Sequence, residues 1–360
     1  MAALIPRPNY PPYSASGNTD AGRDEVDAIL LEMERKVHAQ YEQAAREMKK
    51  KAEDYLKQFL IEDAEKAKQV KDGKLSAKDY ANWRISHIAT GRRYYELAYS
   101  LAADMTNTNL IASSIINGYM PEVFACGYNY GLYQGEISGG FQTSFTLYDR
   151  DTVMRLIAEE PELLPVQAKL NAAEDMRWNS QQVASAITQG IMQGETIPQI
   201  AERMAKTVAG MNERSAIRNA RTATTSAENG GRYEGYRRMK EAGVKLTVEW
   251  CATLDDRTRE THRFLDGQRR DVDDPFDVDG QQIMYAGDPY APQALIWNCR
   301  CTMLAWVKKY EENLMIKAQT KPGGKSYAEW KTAKRAEQSA KKPRVNPDNP
   351  SYGYAADFEV

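Results

Sequence analysis

Apolar residues recur at steps of three or four along one stretch near the start of the chain, and this stretch constrains the fold most. Val26, Val37, Met48 and Phe59 lie eleven residues apart, and an eleven-residue repeat corresponds to about 3.67 residues per helical turn. The pattern predicts a long helix over 24–70 that packs along neighbouring helices. Its full stripe is Val26, Leu30, Met33, Val37, Tyr41, Ala44, Met48, Ala52, Tyr55 and Phe59.

Capping signals predict further helices downstream. Residues 107–119 read as another helix, with a turn beginning at Pro121 because proline disfavours a helix interior. Side chains that accept hydrogen bonds from a first helical turn mark three more starts, at Asn179 or Ser180, at Thr196 and at Asn212. Within the last of these helices, the small residues of 222–227 predict a seam under the C-terminal part of the chain.

The apolar period changes from helical to two after Gly243. Leu246, Val248 and Trp250 alternate with polar residues, which predicts a half-buried strand. We therefore expect a mainly α fold with long N-terminal helices and a small α+β C-terminal module, whose short strands surround a cysteine and histidine cluster. The predicted divisions are an extended arm (1–22), a helical domain (23–178), the α+β module (179–310) and a basic, partly disordered tail (311–360).

Composition narrows the setting in which the protein works. The net charge of −2 gives no chain-wide signal for nucleic-acid binding. No run of about 18 apolar residues is present, so a membrane span is not expected. The four cysteines form no repeated framework, and the first residues lack the features of a secretory signal. These observations favour reduced thiols in a cytoplasm.

Chemically capable residues concentrate between Trp250 and Cys301, which include three of the four cysteines and one of the three histidines. The sulfurs of Cys299 and Cys301 project from the same face of an extended segment, because the residues are two apart. Together with His262 they offer the nitrogen and sulfur ligands that zinc takes, and Cys251 is a doubtful further ligand. Alternatively, the cysteines are small buried apolar residues, and His262 hydrogen-bonds to a carboxylate such as Asp255 or Asp266.

The same residues allow an enzymatic interpretation. His262 with Asp255, Asp256 or Asp266 resembles the donor set of a metal-dependent hydrolase, such as a nuclease acting on nucleic acid. A cysteine of the Cys-x-Cys pair could instead be a nucleophile with His262 as its base. Neither arrangement lies in a recognised nucleophile context. The Asp255-Asp256 pair is better predicted as a turn and the cap of a short helix. We predict no catalytic activity and keep the hydrolase as the alternative.

An ordered set of short motifs runs through and beyond this stretch. It consists of Ala220-Arg221-Thr222, Ala242-Gly243, Trp250, Asp255-Asp256-Arg257-Thr258-Arg259, His262, Leu265-Asp266-Gly267, Gly287-Asp288-Pro289 and Asn298-Cys299-Arg300-Cys301. In this order the motifs resemble the Mu F-like minor head (head-morphogenesis) proteins of tailed phages, over residues 180–307.

The resemblance implies a non-catalytic virion component, present in few copies, that assists head assembly, genome packaging or DNA delivery. The implied partners are the portal protein and the scaffold or major capsid protein. The implied location is the capsid interior or portal vertex, after assembly in the cytoplasm of a bacterial host. His262, Cys299 and Cys301 match the family pattern, whereas Cys251 does not. The other implied motif residues are structural: Trp250, Asp255, Arg257, Asp266, Gly267, Asn298 and Arg300.

Basic residues dominate the segment from Lys317 to Arg344, which Pro322-Gly323-Gly324 separates from the module. Such a segment could neutralise DNA phosphates without reading sequence, and a solubilising tail is the alternative. The candidate DNA contacts are Lys331, Lys334, Arg335, Lys341, Lys342 and Arg344.

Overall fold

The computed structural model describes residues 21–89, 92–310, 316–318 and 325–341. The helices in these ranges are α1 (Ala21–Lys71), α2 (Ala77–Ala89), α3 (Arg92–Gly139), α4 (Arg150–Glu159), α5 (Ala172–Met192), α6 (Ile197–Met204), α7 (Gly210–Glu241), α8 (Glu260–Leu265), α9 (Gln293–Ile296) and α10 (Tyr327–Lys341). The strands are β1 (Phe141–Thr143), β2 (Val244–Cys251), β3 (Arg269–Asp271), β4 (Phe276–Val278), β5 (Gln281–Ile283), β6 (Thr302–Tyr310) and β7 (Ile316–Ala318). The predicted class, mainly α with a small α+β C-terminal module, is confirmed.

The chain divides into two compact units. Unit 1 comprises the described residues of Met1–Val26, Pro121–Pro165 and Thr225–Val360, and unit 2 comprises Asp27–Met120 and Val166–Thr224. Both units are discontinuous along the chain, whereas the sequence-based division uses contiguous ranges. Among the described helices, none combines the length and apolar character that a bilayer crossing requires.

Unit 2 is helical and contains most of the long apolar stripe. The prediction of one long helix is confirmed by α1, and its stripe residues Leu30, Met33, Val37, Tyr41, Met48 and Ala52 are buried. Tyr55 and Phe59 lie outside the side chains that the structure describes. Burial of this stripe stabilises the helix far more than its intrinsic propensity does.

A buried amide network replaces two of the predicted helix caps. Asn179 and Asn212 lie inside α5 and α7 rather than at their starts, so the prediction that they cap helices is wrong. Asn212 donates to the side-chain oxygen of Asn179 at 3.0 Å, and Asn109 donates to that of Asn212 at 2.7 Å. Because these side chains satisfy one another, they are not available to the backbone of a first turn. The Thr196 cap is confirmed, with Gln199 completing its capping box.

The α3 helix runs through Pro121 without a turn. The prediction of a break there is wrong, although proline loses the hydrogen bond of its own N–H and its ring crowds the carbonyl four residues earlier. Met120, Val123 and Phe124 are fully or almost fully buried around it. Their packing outweighs the lost bond and keeps the helix continuous.

A histidine on α1 gives unit 2 a pH-dependent contact. Nδ1 of His38 lies 2.5 Å from a carboxylate oxygen of Glu213, and Nε2 lies 3.5 Å from Glu42. The hydrogen bond to Glu213 raises the pKa of His38 above its ordinary value. A raised folded-state pKa stabilises the fold below the unfolded value of about 6.5, and this contribution is lost as pH rises through the folded value.

We expect an NMR titration of the His38 ring to give a pKa above about 6.5 in the wild type. In a Glu213→Gln variant, the pKa should return towards that value. Since His38 is more than a third exposed, the pH-dependent part of the free energy of unfolding should not exceed about 1 kcal/mol. Identical His38 titrations in the two proteins would contradict this assignment.

Unit 1 contains all of the described strands. The strand order β3-β2-β6 forms an antiparallel sheet in which Trp250 pairs with Met303, so the predicted strand ending at Trp250 is confirmed. The strands β4 and β5 form a hairpin, and β1 pairs with β7. The sheet packs in one apolar core with the C-terminal part of α3, with α7 and with α10, through residues that include Leu132, Tyr236, Trp250, Phe276, Met303 and Trp330.

Candidate functional site

Three predicted ligands meet in the core of unit 1. His262 is on α8, and Cys299 and Cys301 lie immediately before β6. Nδ1 of His262 is 3.3 Å from Sγ of Cys301 and 3.7 Å from Sγ of Cys299. The three ligand atoms all lie within 4.8 Å of one another. Each side chain is at most 3% exposed, so the cluster is shielded from solvent.

The ring of His262 is held in one orientation. Nε2 lies 2.9 Å from the carbonyl oxygen of Leu295, and Trp250 packs edge-on against the ring at 5.7 Å between centroids. A carbonyl oxygen only accepts hydrogen bonds, so the neutral ring donates from Nε2 and turns the lone pair of Nδ1 towards the two sulfurs.

The alternative in which His262 bonds to Asp255 or Asp266 is wrong. Asp266 accepts instead from the backbone N–H of Ala252 at 2.8 Å. Asp255 accepts two hydrogen bonds from Arg300, at 2.5 and 2.7 Å. The Arg300 guanidinium holds the pKa of Asp255 well below its usual range, so this carboxylate stays ionised.

The loop around Asp255 is a closed turn and not a helix cap. Asp255 also accepts from the backbone N–H of the exposed Arg257 at 2.9 Å, while Thr253 donates to the carbonyl of Arg300 at 2.9 Å. The helix α8 begins later, with Arg259 at its N-cap position. The turn predicted at Asp255-Asp256 is confirmed. The predicted cap is wrong, because the Asp255 carboxylate bonds to the Cys-x-Cys segment and to its own turn.

Backbone geometry at two motif positions explains their residue types. Gly267 has φ +75° and donates its N–H to the carbonyl of Trp250 at 2.8 Å. Asn298 has φ +53°, which asparagine tolerates better than most residues. These two turns direct α8 and the Cys-x-Cys segment towards each other.

Side chains on one face of α7 hold the Cys-x-Cys segment in place through hydrogen bonds. Thr225 donates to the carbonyl of Cys299 at 2.8 Å, and Asn229 donates to that of Cys301 at 3.1 Å. Tyr236 donates to the carbonyl of Met303 at 3.2 Å. The three donors lie on one face of α7. The carbonyls that accept from them belong to every second residue of an extended segment.

The small residues of 222–227 predict only a packing seam, and this role of α7 was not predicted. The sequence pattern that could have predicted it is a set of polar residues spaced i, i+4, i+7 and i+11, which lie on one face of a helix. They are Thr225, Asn229, Arg232 and Tyr236, which are all buried.

Cys251 does not join the cluster. It pairs with Thr302 across β2 and β6, whereas Trp250 pairs with Met303. Side chains alternate along a strand, so Cys251 points to the face opposite that of Trp250, against which His262 packs. Burial raises the pKa of Cys251 to about 12, and its thiol stays protonated.

The two cluster thiols are electrostatically unequal. The hydrogen bond from Cys301 lowers the pKa of Cys299, and the same contact raises the pKa of Cys301. In addition, the backbone N–H of Cys301 lies 3.4 Å from Sγ of Cys299. Cys299 is therefore the sulfur better prepared to carry negative charge.

Two of the basic residues predicted to contact DNA lie inside unit 1. Lys334 is 3% exposed and forms an ion pair with Glu136 at 2.8 Å, so the prediction that it contacts phosphate is wrong. Lys331 forms an ion pair with Glu25 at 2.6 Å. Arg335 is exposed on α10. The side chain of Lys341, and Lys342 and Arg344 as a whole, lie outside what the structure describes.

Comparison with known proteins shows a family likeness over part of the chain. Residues 181–304 match the family described as Phage Mu protein F like protein. Over this segment the chain is similar to the Mu F-like family. The match ends just after Cys299, Cys301 and the first residues of β6. It therefore includes the whole candidate site.

Two relatives of the chain have different names. Minor head protein GP7 of Bacillus phage SPP1 is 28% identical over 234 residues, which cover 61% of the chain and 70% of that relative. The NAD(+)–arginine ADP-ribosyltransferase EFV of Enterococcus faecalis is 29% identical over 262 residues, which cover 71% of the chain and 52% of that relative. The chain thus spans about half the length of the transferase. No solved structure matches the chain.

The resemblance to minor head proteins that the motifs predict is confirmed by the family match and by the SPP1 relative. Together they support a role in phage head morphogenesis.

Proposed function

We propose that the chain is a non-catalytic minor component of a phage head, which binds the portal protein within the procapsid and assists genome packaging. The family match and the head-protein relative support the head assignment. The observation that carries the non-catalytic part is burial: His262, Cys299 and Cys301 are each at least 97% buried. A nucleic-acid substrate needs an open site, so this arrangement favours a structural role.

A metal-dependent hydrolase fits these residues less well. A catalytic metal needs a position that substrate can reach. Asp255 and Asp266, the carboxylates that such a site would use, bond to Arg300 and to the backbone of Ala252. Neither Asp255 nor Asp266 is therefore the partner that His262 would need for general-base chemistry.

The transferase relative supplies the second candidate activity. Its match to this chain covers 52% of its length, and a minor head protein matches the same chain over 70% of its own length. We infer that the shared part is the head-protein part and that transfer of ADP-ribose belongs to the remainder of that relative. The purified chain should then release no nicotinamide from NAD⁺ above the blank, and turnover above the blank would contradict this inference.

Exposed apolar side chains near the candidate site support an interaction surface in unit 1. Leu254, Phe264 and Trp297 are 53%, 65% and 55% exposed. Aromatic residues contribute most to binding at protein interfaces. We propose that this surface binds the portal protein.

The test is assembly with and without the chain. Procapsids formed in a phage that lacks the gene should contain little packaged DNA, and the wild-type protein supplied in trans should restore packaging. Phe264→Asp and Trp297→Asp should each reduce co-sedimentation with portal-containing procapsids about tenfold or more, a loss typical of interface hot spots. The matched control is Ile61→Asp, which changes a 63% exposed apolar residue on α1. Normal packaging without the protein would contradict the proposal.

A further inference from the structure

We propose that His262, Cys299 and Cys301 bind one zinc ion through Nδ1 and two thiolate sulfurs. The inference does not depend on the proposed head function, because it follows from the donor atoms of unit 1 alone. On binding, each thiol releases its proton to solvent, and zinc forms two bonds to sulfur and one to nitrogen without any change of oxidation state.

The separations between the donors fit a tetrahedral ion. Zinc lies about 2.3 Å from sulfur and about 2.05 Å from imidazole nitrogen, so a tetrahedral angle places these two donors about 3.6 Å apart. The two observed sulfur–nitrogen separations are 3.3 and 3.7 Å. One ion can therefore contact all three donors with little movement of the side chains.

A hydrogen bond to His262 uses only one of the two sulfur contacts that the ring makes. Nδ1 of His262 has one lone pair and can accept well from only one thiol, yet both sulfurs face it. The backbone N–H of Cys301 lies 3.4 Å from Sγ of Cys299, and a thiolate accepts such a bond better than a thiol does. Two sulfurs that converge on one nitrogen, one of them facing an N–H donor, suit two thiolates that share a cation.

The surroundings of the ligands also match a metal site. A histidine that binds a metal usually donates its other ring N–H to a carbonyl or carboxylate, which fixes its orientation. Here, Nε2 faces the carbonyl of Leu295 at 2.9 Å. The segment that holds the cysteines is fixed by Thr225 and Asn229 on α7. Both ligand groups are therefore oriented before an ion arrives.

The donor set selects zinc over hard cations. Thiolates and imidazole suit zinc and copper, whereas magnesium and calcium take oxygen ligands. Among the described residues, no other histidine, cysteine, aspartate or glutamate joins these three as a ligand group. The three donors fill three of the four tetrahedral positions of a zinc ion.

The first experiment measures metal in the intact chain. Protein produced in zinc-supplemented medium should contain about one zinc per chain. Cys299→Ser and Cys301→Ser should each lower the content at least tenfold. The matched controls are Cys251→Ser, which changes a buried cysteine on the opposite strand face, and Cys126→Ser, which changes a cysteine of α3. Both controls should keep the wild-type content.

A second measurement uses only the wild-type chain, in case the ligand variants do not fold. Cobalt(II) added to chelator-treated protein should produce thiolate-to-cobalt charge-transfer absorption and the intense visible bands of four-coordinate cobalt. Adding zinc should then remove both signals. Wild-type protein that contains no zinc and gives no thiolate–cobalt absorption would overturn the proposal, as would equal metal content in the Cys299→Ser and Cys251→Ser variants.

Discussion

Replacing Glu228 with glutamine should lower the free energy of unfolding by about 3–5 kcal/mol, the usual cost of leaving a buried charge without its partner. One oxygen of Glu228 lies 2.5 Å from Nη1 of Arg23, and the other lies 2.7 Å from Nη2 of Arg232. The Glu228 and Arg232 side chains are completely buried, and that of Arg23 is 5% exposed. The substitution keeps the shape of the side chain and removes its charge, so two guanidinium groups lose their shared counter-charge.

A pair on the surface of the same helix provides the control. Glu241 lies 3.4 Å from Arg237, and both side chains are about half exposed, at 63% and 47%. Glu241→Gln should change the free energy of unfolding by less than about 0.5 kcal/mol, because solvent screens such pairs. Urea denaturation of both variants measures the difference. Equal effects would show that the buried pairs contribute no more than an exposed pair does.

These buried charges explain why the sequence predicts the helices and strands better than it predicts the contacts between them. The helix α1 and the strand β2 can be predicted from the spacing of apolar residues, which is a property of neighbouring positions in the sequence. Arg23 and Glu228 are 205 residues apart, and nothing local distinguishes them from solvated helix charges. Lys334 looks like part of a basic tail until its ion pair with Glu136 is visible. The partner decides whether a charge is buried, and the partner lies far along the chain.

The candidate site shows the same division. Scarce residue types and their spacing are sufficient to bring His262, Cys299 and Cys301 together as one predicted group. The carbonyl that orients His262 belongs to the backbone of Leu295. Every residue has a backbone carbonyl, so the residue type does not show which one will accept this bond. The spacing of polar residues along α7, which include Asn229, can be seen in the sequence. The carbonyls to which these residues donate cannot be identified from the sequence. Side-chain identity predicts the donors, whereas the geometry that prepares them depends on the backbone.

The second large effect is expected at a close crossing of α3 and α7 in unit 1. A Cβ atom on Gly231 would lie 2.1 Å from the carbonyl oxygen of Phe124 and 2.7 Å from the backbone nitrogen of Tyr128. Backbone atoms cannot move aside as the end of a side chain can, so Gly231→Ala must push the helices apart. We expect a loss of about 3 kcal/mol in the free energy of unfolding, despite the better helix propensity of alanine.

Gly118 provides a control of opposite sign within α3. It is exposed, and no atom lies within 4 Å of the Cβ that an alanine would add. Gly118→Ala should therefore stabilise the protein by about 0.5–1 kcal/mol, the propensity gain alone. Comparing the two variants by urea denaturation separates the clash from the propensity effect that both share. If Gly231→Ala also stabilised the protein, the two helices would not need a glycine at their crossing, and close backbone contact would not hold this part of unit 1 together.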